Sequence, residues 1–208
     1  IIVDGNLTVK GTGSLQLEND QSYTVLVCGG NVTLSNATVT IKSTGPIGAI
    51  RLDHNGDYCG DGNLTVNSGK LIVEAPSSHS NNKTIIARDV NINGGTVTVT
   101  SGYVPFWNGG AVNIGGGTVT IAGDVCGVTW AYNAYEKVMN ITGGKVNITS
   151  TDVAIDDYNI TLNVSGGELS ATATEKAIYV DDCNITGGTV VAKSTGTNSI
   201  AIDSDVFN

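Results

Sequence analysis

The chain has 208 residues, including 28 Gly but only 3 Pro and 1 Met, and carries a formal charge of -9 with a pI near 4.4. That balance leaves no Lys and Arg clusters to neutralise phosphate, which excludes nucleic acid and anionic membrane surfaces as partners. Gly, Thr and Asn in quantity, with few strong helix formers, predict short strands joined by tight turns and almost no helix, and no apolar run is long enough to span a bilayer.

Read from the N-terminus, the chain repeats one phrase. An apolar-polar-apolar triplet precedes each turn: Val32-Thr33-Leu34, Leu64-Thr65-Val66, Val90-Asn91-Ile92, Val112-Asn113-Ile114, Met139-Asn140-Ile141, Leu162-Asn163-Val164 and Cys183-Asn184-Ile185. The turns themselves are Gly94-Gly95, Gly116-Gly117, Gly143-Gly144, Gly166-Gly167 and Gly187-Gly188, with weaker versions at Thr12-Gly13, Asn36-Ala37 and Ser68-Gly69. A second alternating run follows each turn, as in Val97/Val99, Val119/Ile121 and Val146/Ile148, and a third apolar run separates one phrase from the next, as at 49–52, 84–87, 177–180 and 200–202.

The spacing of about 21 to 28 residues lies in the solenoid range, and alternation marks strands with one buried face. Three strands per phrase predict an all-β, single-domain right-handed parallel β-helix of about eight coils spanning residues 1–208, cut from a larger secreted or surface protein. A β-sandwich also shows short alternating strands, but it does not require the same triplet to return coil after coil. Two outward columns follow: Thr8, Thr33, Thr65, Asn91, Asn113, Asn140, Asn163, Asn184, and Gln16, Thr40, Ile72, Thr98, Thr120, Asn147, Ser170, Val191.

Several segments carry chemistry. "DHNGDYCGDGN" at 53–63 places Asp53, Asn55, Asp57 and Asp61 where hard oxygens could curl around Ca²⁺; a solvated insertion is the plain alternative. Asp4, Asp89, Asp157 and Asp182 precede pre-turn strands and form either a second acidic line or simple corners. Tyr103, Phe106, Trp107, Trp130, Tyr132 and Tyr135 fall within two successive coils, and exposed rings of this kind stack on sugars. Tyr103, Trp107, Trp130, Tyr132 and Tyr179 are the candidate sugar contacts, with Arg51 pairing a carboxylate if the sugar is acidic, whereas Phe106 reads as a core plug.

Cys183 occupies an inward position and reads as a core thiol; Cys28 and Cys59 stand in neighbouring coils, with free thiols the simpler reading. His54 and His79 lie in polar loops, and no nucleophile-elbow or metalloprotease spacing occurs. Arg51 and Arg88 are the candidate bases for a lyase. Ten Asn-x-Ser/Thr triplets arise as by-products of alternating polar positions, and glycans on most of them would bury the ladder, which favours a bacterial source.

"AIYVDDCNITGGTVVAKS" at 177–194 and its echoes "TIIARDVNINGGTVTVTS" and "VAIDDYNITLNVSGGELSATA" resemble the secreted carbohydrate-binding β-helix proteins of anaerobic fibre-degrading bacteria. The resemblance implies a polysaccharide-lyase-like fold that binds calcium and acidic plant polysaccharide without catalysis. The "GDGI" turns frequent in that family are mostly missing here. The expected function is therefore a non-catalytic extracellular polysaccharide-binding or adhesion module with calcium ordering the acidic loop. A calcium-dependent polysaccharide lyase and a structural stalk are the alternatives.

Overall fold

Every regular element is a strand and every strand pairing is parallel in the computed structural model, which describes residues 1–21, 24–52 and 61–208. Strand follows strand in sets of three. The second coil runs through Leu26–Cys28, Val32–Ser35 and Thr38–Ser43, the fourth through Lys83–Ala87, Val90–Ile92 and Thr96–Ser101, and the fifth through Val104–Asn108, Val112–Ile114 and Thr118–Gly123. Each strand pairs with its equivalents in the coils before and after, so the molecule is a β-solenoid of about eight turns with three faces.

Coils seven and eight depart from this scheme. There the first and second strands fuse into Val153–Val164 and Lys176–Ile185, and a register shift between Asp157 and Thr161 marks the bend. The fusion joins the first and second faces into one 15-stranded sheet, while the third face stays a separate 8-stranded sheet.

The core follows from the alternation. Ile92, Ile114, Ile141 and Val164 stack in register on the second face, Val97, Val119, Val146 and Leu169 on the third, and Phe106, Val128, Ile155 and Ile178 on the first. All twelve are buried. Both outward columns read from the sequence are also register columns, rung for rung.

The turns between second and third strands explain the glycine pairs. The second glycine of each pair lies in the left-handed region, with φ of 80° at Gly95 and 79° at Gly117. The first glycine sits so close to the coil before it that a Cβ on Gly116 would lie 2.7 Å from the Asn93 carbonyl oxygen. In the second coil Asn36 takes the left-handed place with φ 63°, the non-glycine residue best suited to it.

Polar side chains also bond from coil to coil. From the fourth coil onward the outward Asn column forms a chain in which each amide Nδ2 donates to the Oδ1 of the preceding Asn: Asn113 to Asn91 at 3.0 Å, Asn140 to Asn113 at 2.9 Å, Asn163 to Asn140 at 2.9 Å and Asn184 to Asn163 at 3.0 Å. Asn208 adds a rung, donating to Asn184 at 2.8 Å.

At the corner between first and second strands, the Asn6 oxygen accepts the backbone N–H of Asn31, and the Asn31 oxygen accepts that of Asn63. The Asn63 oxygen then accepts the N–H of Asp89, and the Asp89 carboxylate that of Ala111.

Candidate functional site

The first face differs from the other two in what it turns outward. Its central column, in register order, is Arg51, Ile86, Trp107, Thr129, Asp156, Tyr179 and Asp203. With rungs about 4.8 Å apart, Trp107 and Tyr179 stand three rungs and roughly 14 Å from one another along the axis.

On one side of this face a shallow groove follows the corner leading in from the third strand. One stretch of about 330 Å³ is lined by Thr100, Ser101, Asp124, Thr149 and Thr151, and another of about 350 Å³ by Thr174, Lys176, Thr197 and Ser199. On the other side lies the corner towards the second strand. There Tyr132, Tyr135 and Tyr158 are exposed, at 91%, 68% and 60% of their full surface.

The candidate residues sort themselves on this frame. Tyr103, Trp107, Tyr179 and Arg51 are half-buried on the first face or its leading corner, and Tyr132 stands fully in solvent. Trp130 is a correction. It is the register partner of Asn108 and turns inward, 3% exposed, with its indole Nε1 donating to the Gly110 carbonyl at 2.7 Å. The reason is parity: Trp107 pairs with Thr129, so the residue after Thr129 must face the core. Phe106 is buried as expected, and Tyr135 and Tyr158 enter the aromatic set in Trp130's place.

Two lysines cover the rings of the first face. The Lys83 ammonium lies 5.0 Å from the Trp107 ring centre and 5.9 Å from that of Tyr103, and its Nζ donates to the Ser80 carbonyl at 3.0 Å. The Lys176 ammonium lies 3.8 Å from the Tyr179 ring centre and is held 2.7 Å from the Asp203 carboxylate.

Partial burial lowers the Lys83 pKa, whereas the hydrogen bond to Asp203 raises that of Lys176. Between them Asp156 has its pKa raised, first by burial and then by the Asp157 and Asp152 carboxylates, with Lys176 acting in the opposite direction.

Arg88 is exposed at the far corner, its guanidinium 5.4 Å from the Tyr135 ring centre and its Nε 4.0 Å from Asp89. It is thus engaged with an aromatic ring and a carboxylate.

The second acidic line does not form. Asp157 pairs in register with Val180 and makes a 2.8 Å ion pair with Lys137; Asp182 stands in a different column opposite Thr161; and Asp89 caps Ala111. Of the calcium candidates, Asp53, Asn55 and Asp57 lie outside the described residues, as do His54 and Cys59. Asp61 is exposed, and its backbone N–H donates to the Leu52 carbonyl at 2.8 Å. Among the described residues no group of three or more His, Cys, Asp or Glu is placed to hold a metal ion.

Cys28, Cys126 and Cys183 are free and buried, and burial raises the pKa of the Cys126 thiol far above its ordinary value. His79 is exposed, as its loop suggested. Comparison with known protein families, with curated proteins and with solved structures finds no match.

Proposed function

We propose that this chain is a non-catalytic polysaccharide-binding module of a secreted or surface-attached bacterial protein, laying a glycan chain along the first face and its two corners. The observation that carries this reading is the placement of the aromatics. All five described tyrosines and Trp107 fall on one face and its flanking corners in the second half of the solenoid, and three of those tyrosines are more than half exposed.

A glycan presents apolar ring faces and a fringe of hydroxyls. The tyrosines supply rings for the first, and Asn133, Asn159 and the Thr/Ser groove supply partners for the second. Calcium enters this reading only through the 53–61 loop, which adjoins Arg51 in the chain.

The test is binding of the intact chain to a panel of plant and bacterial polysaccharides, with and without a calcium chelator. A Tyr132→Ala/Tyr135→Ala double variant changes exposed side chains only, so its far-UV spectrum and melting should match the parent. With each stacked ring contributing about 1 kcal/mol, the double variant should bind at least ten times more weakly. Absence of binding across the panel, or unchanged affinity in the double variant, defeats the proposal. Loss of binding on chelation would assign calcium to it.

A further inference from the structure

The two aromatic platforms of the first face carry the same kind of cover, held in different ways. Over Tyr179 the Lys176 ammonium is neutralised by Asp203 at 2.7 Å. Over Trp107 the Lys83 ammonium makes no ion pair among the described residues; its one polar contact among them is the Ser80 carbonyl, and it lies within 6 Å of the centres of two rings. In the same ring the Trp107 indole Nε1–H is buried and has no acceptor among the described residues. An uncompensated cation, a covered ring face and an unpaired donor thus share one spot.

We propose that Lys83 is an anion-recognising residue that doubles as a displaceable cover on Trp107, so that an anionic substituent on the glycan, a carboxylate or a sulfate, opens this subsite and a neutral sugar does not. The cation–π contact holds the ammonium only weakly, by an attraction that a charge-assisted hydrogen bond to an oxyanion exceeds. Once Lys83 turns towards the anion, the face of Trp107 is free to stack on the same sugar. Lys176 does not share this role, because Asp203 already satisfies it. Partial burial, which lowers the Lys83 pKa, agrees with a cation that gains from an anionic partner. The inference rests on the polysaccharide-binding reading and adds to it a charge preference and the residue that sets it.

The experiment titrates the parent chain, Lys83→Ala and Lys83→Arg with polygalacturonate, with its carboxyl-reduced neutral form, and with dextran sulfate beside plain dextran. Affinity is read together with tryptophan emission. Trp130 is buried in the core, so a ligand-induced change in emission reports Trp107.

The parent should bind at least one of the two anionic polymers ten times or more tightly than its neutral counterpart, and emission should move with the anionic polymer alone. Which anion does so separates carboxylate from sulfate. Lys83→Ala, which uncovers Trp107, should lose this preference, with neutral polymers now moving the emission and binding at least as tightly as they bind the parent, and Lys83→Arg should retain it. Equal binding of charged and neutral polymers, or a preference that survives in Lys83→Ala, overturns this inference while leaving the wider reading intact. If none of these polymers binds, this inference falls, and the wider reading is decided by the polysaccharide panel.

Discussion

At the scale of single residues the Asn column is the most regular feature of the molecule, and it makes a measurable claim. Asn140 donates to Asn113 and accepts from Asn163, both at 2.9 Å and half-buried. Asn140→Ala strands one acceptor and one donor, and should lower unfolding free energy by about 2 kcal/mol in urea titration. Asn140→Thr, which places there the residue of the same column at Thr8, Thr33 and Thr65, should cost less than the alanine. A change below about 0.5 kcal/mol for Asn140→Ala would mean that water replaces the ladder at no cost. From Thr8 to Asn184 this column is legible in the sequence, because a strand's side chains alternate with period two and the triplet fixes parity at every rung, whereas the rung that Asn208 adds follows no triplet. Trp130 shows the converse: its ring chemistry suggests a sugar contact, but its parity, set by Thr129 opposite Trp107, turns it into the core.

At the scale of elements the turns explain why the coils are glycine-punctuated. Gly117 combines φ of 79° with a would-be Cβ 2.4 Å from the Gly95 carbonyl oxygen, so an alanine there must accept a left-handed backbone and also push the neighbouring coil away. Gly117→Ala should therefore cost more than about 2 kcal/mol. Gly13 stands at the weaker turn of the first coil, with nothing within 4 Å of its would-be Cβ, and Gly13→Ala should fall within about 0.5 kcal/mol of the parent. Thermal and urea unfolding of the two variants side by side would show the contrast, and equal effects would mean that crowding by the neighbouring coil does not limit the turn. Strands and turns were readable because each is a local pattern. The corner between first and second strands was not: the 12-residue strand Val153–Val164 crosses it with a register shift, parity breaks at the bend, and Tyr158 surfaces where no alternation rule could place it.

At the scale of the whole molecule the coils stack in one dimension, each touching mainly the coil before and the coil after, so stability should be close to a sum of like terms. Removal of one complete coil tests this. Deleting residues 168–188 joins Gly167 to Thr189, the residue that begins the same strand one coil later. The aliphatic core columns and the Asn column then close on matched partners: Val146 meets Val190, Ile155 meets Ile202, and Asn208 comes opposite Asn163 in place of Asn184. The costs fall on the outward face: the exposed Lys145–Glu168 pair at 3.2 Å and the Lys176–Asp203 pair are lost, and Asp156 comes opposite Asp203, but charge interactions at the surface contribute little. The shortened chain should keep a β-sheet far-UV spectrum and a cooperative melt, with the midpoint lower by about 5 °C or less. Deleting only residues 168–177 removes less than a coil, puts Gly167 against the middle of a first-face strand and turns buried columns outward. That variant should lose its cooperative transition. If the complete-coil deletion fails to fold while tolerating no rescue by low temperature, the coils are not interchangeable rungs, and the stability of the solenoid resides in particular contacts of the eighth coil. If it folds, the same variant separates the two aromatic platforms: it lacks Tyr179 and Lys176 but keeps Lys83, Trp107 and the exposed tyrosine corner, so polysaccharide binding should persist through these alone.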